Sequence, residues 1–226
     1  MQKNSFQSLL QRFFLERLMK QQNVSPCTVS SYRDTFRIFL HFMKENKHCA
    51  SSKITIEMLN AENVIEFLNY LELTRKNSIK TRNNRLAAIH SFVEYVSYQA
   101  PEYLGIIQRV RNVPFKKTQI KAVAYLIKGE VEAILDACDV NCWLGRRDLM
   151  MIAILYNTGV RVSELASIQK HQISLNRNGT SSLRILGKGR KERTIPIWKS
   201  TQQYIAEFLK ETGSNDEDYL FSSKYG

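Results

Sequence analysis

The chain has 226 residues, with 33 Lys and Arg against 21 Asp and Glu, and hence a formal net charge of +12. With 43% apolar and 24% charged residues it has the composition of a folded protein, which excludes wholesale disorder; nine Gly and four Cys exclude collagen-like and disulfide-scaffold chains. The longest apolar run, Leu149–Tyr156, is too short to cross a bilayer, and the residues after Met1 carry no secretory signal pattern.

The first hundred residues read as helices. Phe6, Leu9, Leu10, Phe13, Phe14 and Leu18 follow the spacing of one helical face. A break at Val24-Ser-Pro-Cys places Ser25 before Pro26, a helix-start signal. A second helix then carries Val29, Tyr32, Phe36, Phe39, Leu40 and Met43, and Glu45–Lys53 reads as a loop. A third holds Val64, Phe67, Leu68 and Leu71, entered near Asn60 and Asn63. A fourth starts near Ser78, holds Leu86, Ile89, Phe92, Val93 and Val96, and stops before Pro101. Four amphipathic helices with short connections predict a bundle.

Residues 109–121 then carry Arg109, Arg111, Lys116, Lys117 and Lys121 with no acid among them and a proline at 114, the pattern of an extended basic linker. Beyond it the pattern is mixed. Gly129–Cys138 and Arg146–Asn157 read as helices, and a short helix is expected near Val162. Leu183–Leu186 and Arg193–Ile197 are β-prone runs joined by a Gly-containing turn, a hairpin signal. A helix over Ser200–Glu211, an acidic loop and Tyr219-Leu-Phe follow. The expected organisation is a helical domain over 1–108, a linker over 109–124 and a second domain over 125–226.

The charge points to a polyanionic partner, nucleic acid before an anionic membrane. Four cysteines in this length fit a reducing, cytoplasmic setting. Cys138 and Cys142 have helical spacing without a second ligand pair, so zinc is not expected, and Gly187-Lys-Gly-Arg-Lys lacks a nucleotide-binding frame.

Two segments carry chemistry. In Thr158-Gly-Val-Arg-Val-Ser-Glu-Leu165, Gly159 breaks one helix, Arg161 opens the next, and Glu164 lies one turn on, so guanidinium and carboxylate can share a face. An arginine so held can offer a forked donor to a phosphate, although alone the pair is an ordinary surface ion pair. In Leu186-Gly-Lys-Gly-Arg-Lys-Glu-Arg-Thr-Ile-Pro196, Lys188 sits between two glycines at a hairpin tip, where a ligand can come close.

In order and spacing this pair resembles the tyrosine recombinase (phage integrase) family. Thr28-Val-Ser-Ser-Tyr32 and Thr81-Arg-Asn-Asn-Arg-Leu-Ala-Ala-Ile-His-Ser-Phe92 are similar to the family's core-binding domain. The resemblance implies a mainly α fold with a small β-hairpin or sheet. An N-terminal four-helix core-binding (SAM-like) domain would be followed by the N-terminal part of a mixed α/β catalytic domain. It implies strand cleavage by a tyrosine that forms a 3′-phosphotyrosine, with no metal and no other cofactor. Arg161 matches the first catalytic arginine, which steadies the non-bridging oxygens. Glu164 matches the acidic residue supporting it, and Lys188 the lysine that protonates the departing 5′-oxygen. The implied partners are double-stranded DNA, closed in a clamp between the two domains, and further recombinase protomers; a membrane partner is not implied. Lys80, Arg82, Arg85, Lys116, Lys117, Arg190 and Lys191 are the expected phosphate contacts, with Arg75 and Lys76 nearby.

The sequence departs from the family where the pattern continues with H-x-x-R and the nucleophilic tyrosine. None of His41, His48, His90 and His171 is followed by arginine three residues on, and Tyr225 has no such segment before it. The expectation is therefore an incomplete recombinase chain that binds DNA but lacks the nucleophile. A non-catalytic DNA-binding integrase, or a basic helical regulator or RNA-binding protein, are the alternatives.

Overall fold

A computed structural model describes residues 4–118, 124–176, 179–187, 191–212 and 218–221, which form two compact units that divide near residue 121.

The first unit is the expected helical one. Its helices are α1 (Phe6–Arg12, continued by Phe13–Gln21), α2 (Pro26–Lys47), α3 (Ala61–Leu73), α4 (Ile79–Gln99) and α5 (Leu104–Arg111). Their starts are chemically marked. Ser25 accepts the Thr28 N–H at 3.2 Å, Ser78 that of Thr81 at 3.2 Å, and Asn60 that of Asn63 at 2.9 Å. Helix α2 runs past Glu45 and ends at His48 in the left-handed conformation (φ 49°), so the predicted loop begins later than its polarity suggested. The continuation of α1 is bonded i→i+5, as in the 2.9 Å bond from Gln22 N–H to Arg17 C=O. That wider turn brings Leu18 onto the buried side with Phe13 although five residues separate them, while Phe14 is only partly covered.

The core of this unit is aromatic. Phe13, Phe36 and Phe92 meet edge to face, with ring centroids 5.1 Å apart for Phe36–Phe92 and 5.4 Å for Phe13–Phe92; Phe39 meets Phe67 at 5.3 Å. Helix α5 was not expected. Ile107, Val110 and Val113 are buried in the same core, so residues 109–113 belong to the folded unit, and Arg109 and Arg111 stand in the helix's last turn, where cations complement its dipole.

The second unit contains α6 (Lys128–Asp136), α7 (Trp143–Thr158), α8 (Val162–Ala166), β1 (Ile173–Ser174), β2 (Ser181–Leu186), β3 (Glu192–Ile197) and α9 (Lys199–Thr212). The strands form one antiparallel sheet in the order β1-β2-β3, with Leu183 opposite Ile195 and Ile185 opposite Arg193. Period-two alternation buries Leu183 and Ile185 against Met150 and Ile154 of α7, Leu165 of α8 and Ile205 and Phe208 of α9. Gly159 ends α7 in the left-handed region (φ 61°), its N–H bonded to Leu155 C=O at 2.9 Å, and turns the chain towards Arg161. Residues 218–221 return to 168–170 through a 2.7 Å bond from Leu220 N–H to Ile168 C=O, which seats Leu220 in this core. All four cysteines are unbridged. Among the described residues no helix is long and apolar enough to cross a membrane.

Candidate phosphate-binding site

Arg161 is the last extended residue before α8 (φ −70°, ψ 151°), and Glu164 reaches back from the first turn to accept its backbone N–H at 2.9 Å. The Arg161 Nη1 also donates to Glu164 Oε1 at 3.0 Å. The two partners differ in exposure: the glutamate side chain is 8% accessible and that of the arginine 67%. A buried carboxylate thus holds one edge of a guanidinium whose remainder faces solvent.

A third group completes the junction. Arg193 of β3 donates from Nη2 to Glu164 Oε2 at 2.7 Å and from Nη1 to Oε1 at 3.3 Å. The Arg193 hydrogen bonds, then the Arg161 N–H, hold the Glu164 pKa down to about 2, against the opposing effect of burial; the glutamate in turn raises that of Arg193. Sequence reasoning missed Arg193, although its phase in β3 was a signal: it alternates with Ile195 and Ile197 and lies opposite Ile185, on the otherwise apolar face of the strand, with its side chain 39% accessible. Gly187 closes the base of the β2–β3 turn with a 2.8 Å bond from its N–H to Lys191 C=O. Lys191 is exposed beside it, while Lys188 and Arg190 lie outside the described residues.

In the first unit the predicted contacts separate. Lys80 is exposed in the first turn of α4. Arg85 is half-buried and lines a groove of about 400 Å³ with Cys27, Ser30, Asp34, Thr81 and Asn84, between the first turns of α2 and α4. Burial lowers its pKa, Asp34 opposes this, and Arg75 and Arg37 add to it.

Arg82, expected as a phosphate contact, is buried in the structure. Its side chain is 6% accessible, its Nη1 donates to Pro114 C=O and Asn83 Oδ1, both at 3.1 Å, and its Nε lies 3.3 Å from Glu72. Helical phase explains this: 82, 86, 89 and 93 share the buried face of α4. Lys116 is exposed but also pairs with Glu72, its Nζ 2.8 and 2.9 Å from the two oxygens. Asn83 brackets its backbone, donating to Lys116 C=O at 2.7 Å and accepting its N–H at 3.1 Å. The first residues of the basic stretch are thereby fastened to α3 and α4. Lys117 is exposed.

Residues 124–226 match the phage integrase family, and residues 11–99 match the phage integrase N-terminal SAM-like domain. The chain is 40% identical over 223 residues to a Sinorhizobium fredii protein named as an integrase/recombinase, y4rC, covering 98% of this chain and 66% of that one. It is 31% identical over 221 residues to the tyrosine recombinase XerC of Staphylococcus epidermidis, covering 96% and 70%. Solved structures share the fold. A post-cleavage complex of the site-specific recombinase XerH with a palindromic difH substrate has a TM-score of 0.65 at 20% identity, covering 90% of this chain and 58% of that one. A lambda integrase dimer bound to a COC′ core site has a TM-score of 0.59 at 16% identity, covering 96% and 57%. The chain therefore spans between 57% and 70% of the lengths of these four relatives. With both of its units matched, and with relatives of this identity along nearly its whole length, the chain belongs to the phage integrase family of tyrosine recombinases.

Proposed function

We propose that this chain binds duplex DNA and supplies the phosphate-steadying part of a site-specific strand-exchange reaction. In that reaction a tyrosine displaces the 5′-oxygen from a phosphodiester, forming a 3′-phosphotyrosine, and reversal of the step rejoins the strand. The observation that carries the reading is Arg161, whose guanidinium is oriented by a buried carboxylate and otherwise open to solvent. Such a group is preorganised for charge developing on non-bridging oxygens, so it costs little reorganisation when the transition state forms. Glu164 fixes it, and Lys188 protonates the departing oxygen.

Lys80, Arg85, Lys117, Arg190 and Lys191 contact backbone phosphates, and Lys116 does so while remaining paired with Glu72. Arg82 supports the helices beneath them. The nucleophile is expected outside these 226 residues, because no H-x-x-R segment precedes a tyrosine within them.

A nicked suicide substrate tests this directly. The chain should shift the duplex in a gel without forming a covalent adduct, and Arg161→Ala should leave that shift largely intact. A covalent adduct formed by this chain alone would place a nucleophile within it; no duplex binding at low salt would remove the reading altogether.

A further inference from the structure

Arg193 has no assigned part in the chemistry above, yet it occupies the better half of Glu164. Each oxygen of that carboxylate accepts two donors: Oε1 takes Arg161 Nη1 at 3.0 Å and Arg193 Nη1 at 3.3 Å, and Oε2 takes the Arg161 N–H at 2.9 Å and Arg193 Nη2 at 2.7 Å. Four donors fill the lone-pair positions of an ionised carboxylate. Arg161 is thus left with a single side-chain bond to it.

We infer that Arg193 is a positioning residue for Arg161: by forking onto Glu164 it confines Arg161 to one edge of the carboxylate and keeps the rest of its guanidinium turned outward for a phosphate. The inference rests on the reading of Arg161 as a phosphate ligand. Without Arg193, the buried glutamate draws Arg161 inward as its remaining partner, because a two-bond fork is the stronger geometry for such a pair. The pair is then neutral and offers less to an anion. With Arg193 present the three groups carry a net +1, and Arg161 is the more exposed of the two arginines.

The hairpin base is shaped around this junction. A Cβ at Gly187 would lie 2.8 Å from Arg193 Nη1 and 3.3 Å from Glu164 Oε1, so a side chain there would make the end of Arg193 shift. The same junction ties the start of α8 to β3, joining the two segments to which the catalytic roles are proposed.

The test follows the arginine side-chain N–H resonances of the ¹⁵N-labelled 226-residue chain, with Arg161 identified through Arg161→Lys. Inorganic phosphate replaces chloride at constant ionic strength. The Arg161 signal of the parent should shift saturably. In Arg193→Gln the same titration should need about tenfold more phosphate, the order that one charge-assisted hydrogen bond is worth. Arg193→Lys, which keeps the charge but not the fork, should fall between them; should Arg193→Gln not fold, it decides alone. A responding parent matched by either variant overturns this inference and leaves the reading of Arg161 standing. A parent with no response removes both.

Discussion

Each unit of this molecule contains a carboxylate shared by two cations, and the two groups are built in opposite senses. In the first unit Glu72 joins Arg82 and Lys116, and it is the arginine that is buried, its Nη1 bonded to Pro114 C=O and Asn83. In the second unit Glu164 joins Arg161 and Arg193, and it is the carboxylate that is buried while Arg161 stands open. A buried guanidinium tied to a backbone carbonyl and a carboxylate of its own unit is a structural fastener, whereas an exposed guanidinium on a buried anion is a poised donor. Charge and spacing alone do not distinguish the two arrangements; which partner the core covers does.

The largest expected effect lies in the aromatic core of the first unit. Phe92→Ala removes a ring against which Phe6, Phe13 and Phe36 all pack, and should destabilise the first unit by about 3–5 kcal/mol in urea unfolding, without moving the transition of the second. Arg82→Ala comes next, at about 2–4 kcal/mol, because it strands the Pro114 carbonyl and leaves Glu72 to Lys116 alone. A loss no greater than that of an exposed substitution would erase the contrast between the two groups.

Acid should sharpen it. Glu164 is held down to about 2 against an ordinary 4.5, so its ionised form stabilises the folded state fully above pH 4.5, and that contribution is lost as pH falls from 4.5 through about 2. Urea midpoints of the parent and Glu164→Gln should therefore converge across that window. Parallel curves would mean that the carboxylate is not held by its two arginines. The smallest stability effect belongs to Lys80→Ala, an exposed position where unfolding should change by less than about 0.5 kcal/mol.

These contrasts also show what a linear reading could reach. Arg161 and Glu164 were legible because they lie three residues apart at the start of α8, just after the glycine that ends α7, a distance at which local geometry decides contact. Arg193 was not, because its bond to Glu164 spans 29 residues and depends on the register that sets Ile185 opposite Arg193. The burial of Arg82 was not legible, since a run of basic residues at a helix start looks uniformly solvated until helical phase assigns one of them to the core. Helix α5 was hidden by its own arginines, which mark a helix end as readily as a linker. The Phe6–Leu18 stripe was correct in membership, but its last step is bridged by an i→i+5 turn that no 3.6-residue template contains.

The measurement that bears most directly on the division between fastener and donor is the salt dependence of duplex binding, compared for the parent, Lys80→Ala and Arg82→Ala. The parent should show a steep linear fall of log affinity with log salt, as expected when phosphate contacts release counterions. Lys80→Ala should reduce that slope by about one, the signature of one lost phosphate contact, while Arg82→Ala should leave the slope unchanged at temperatures where it stays folded. The reverse pattern, a reduced slope for Arg82→Ala and none for Lys80→Ala, would contradict the assignment of the buried arginine to the scaffold and of the exposed cations to DNA.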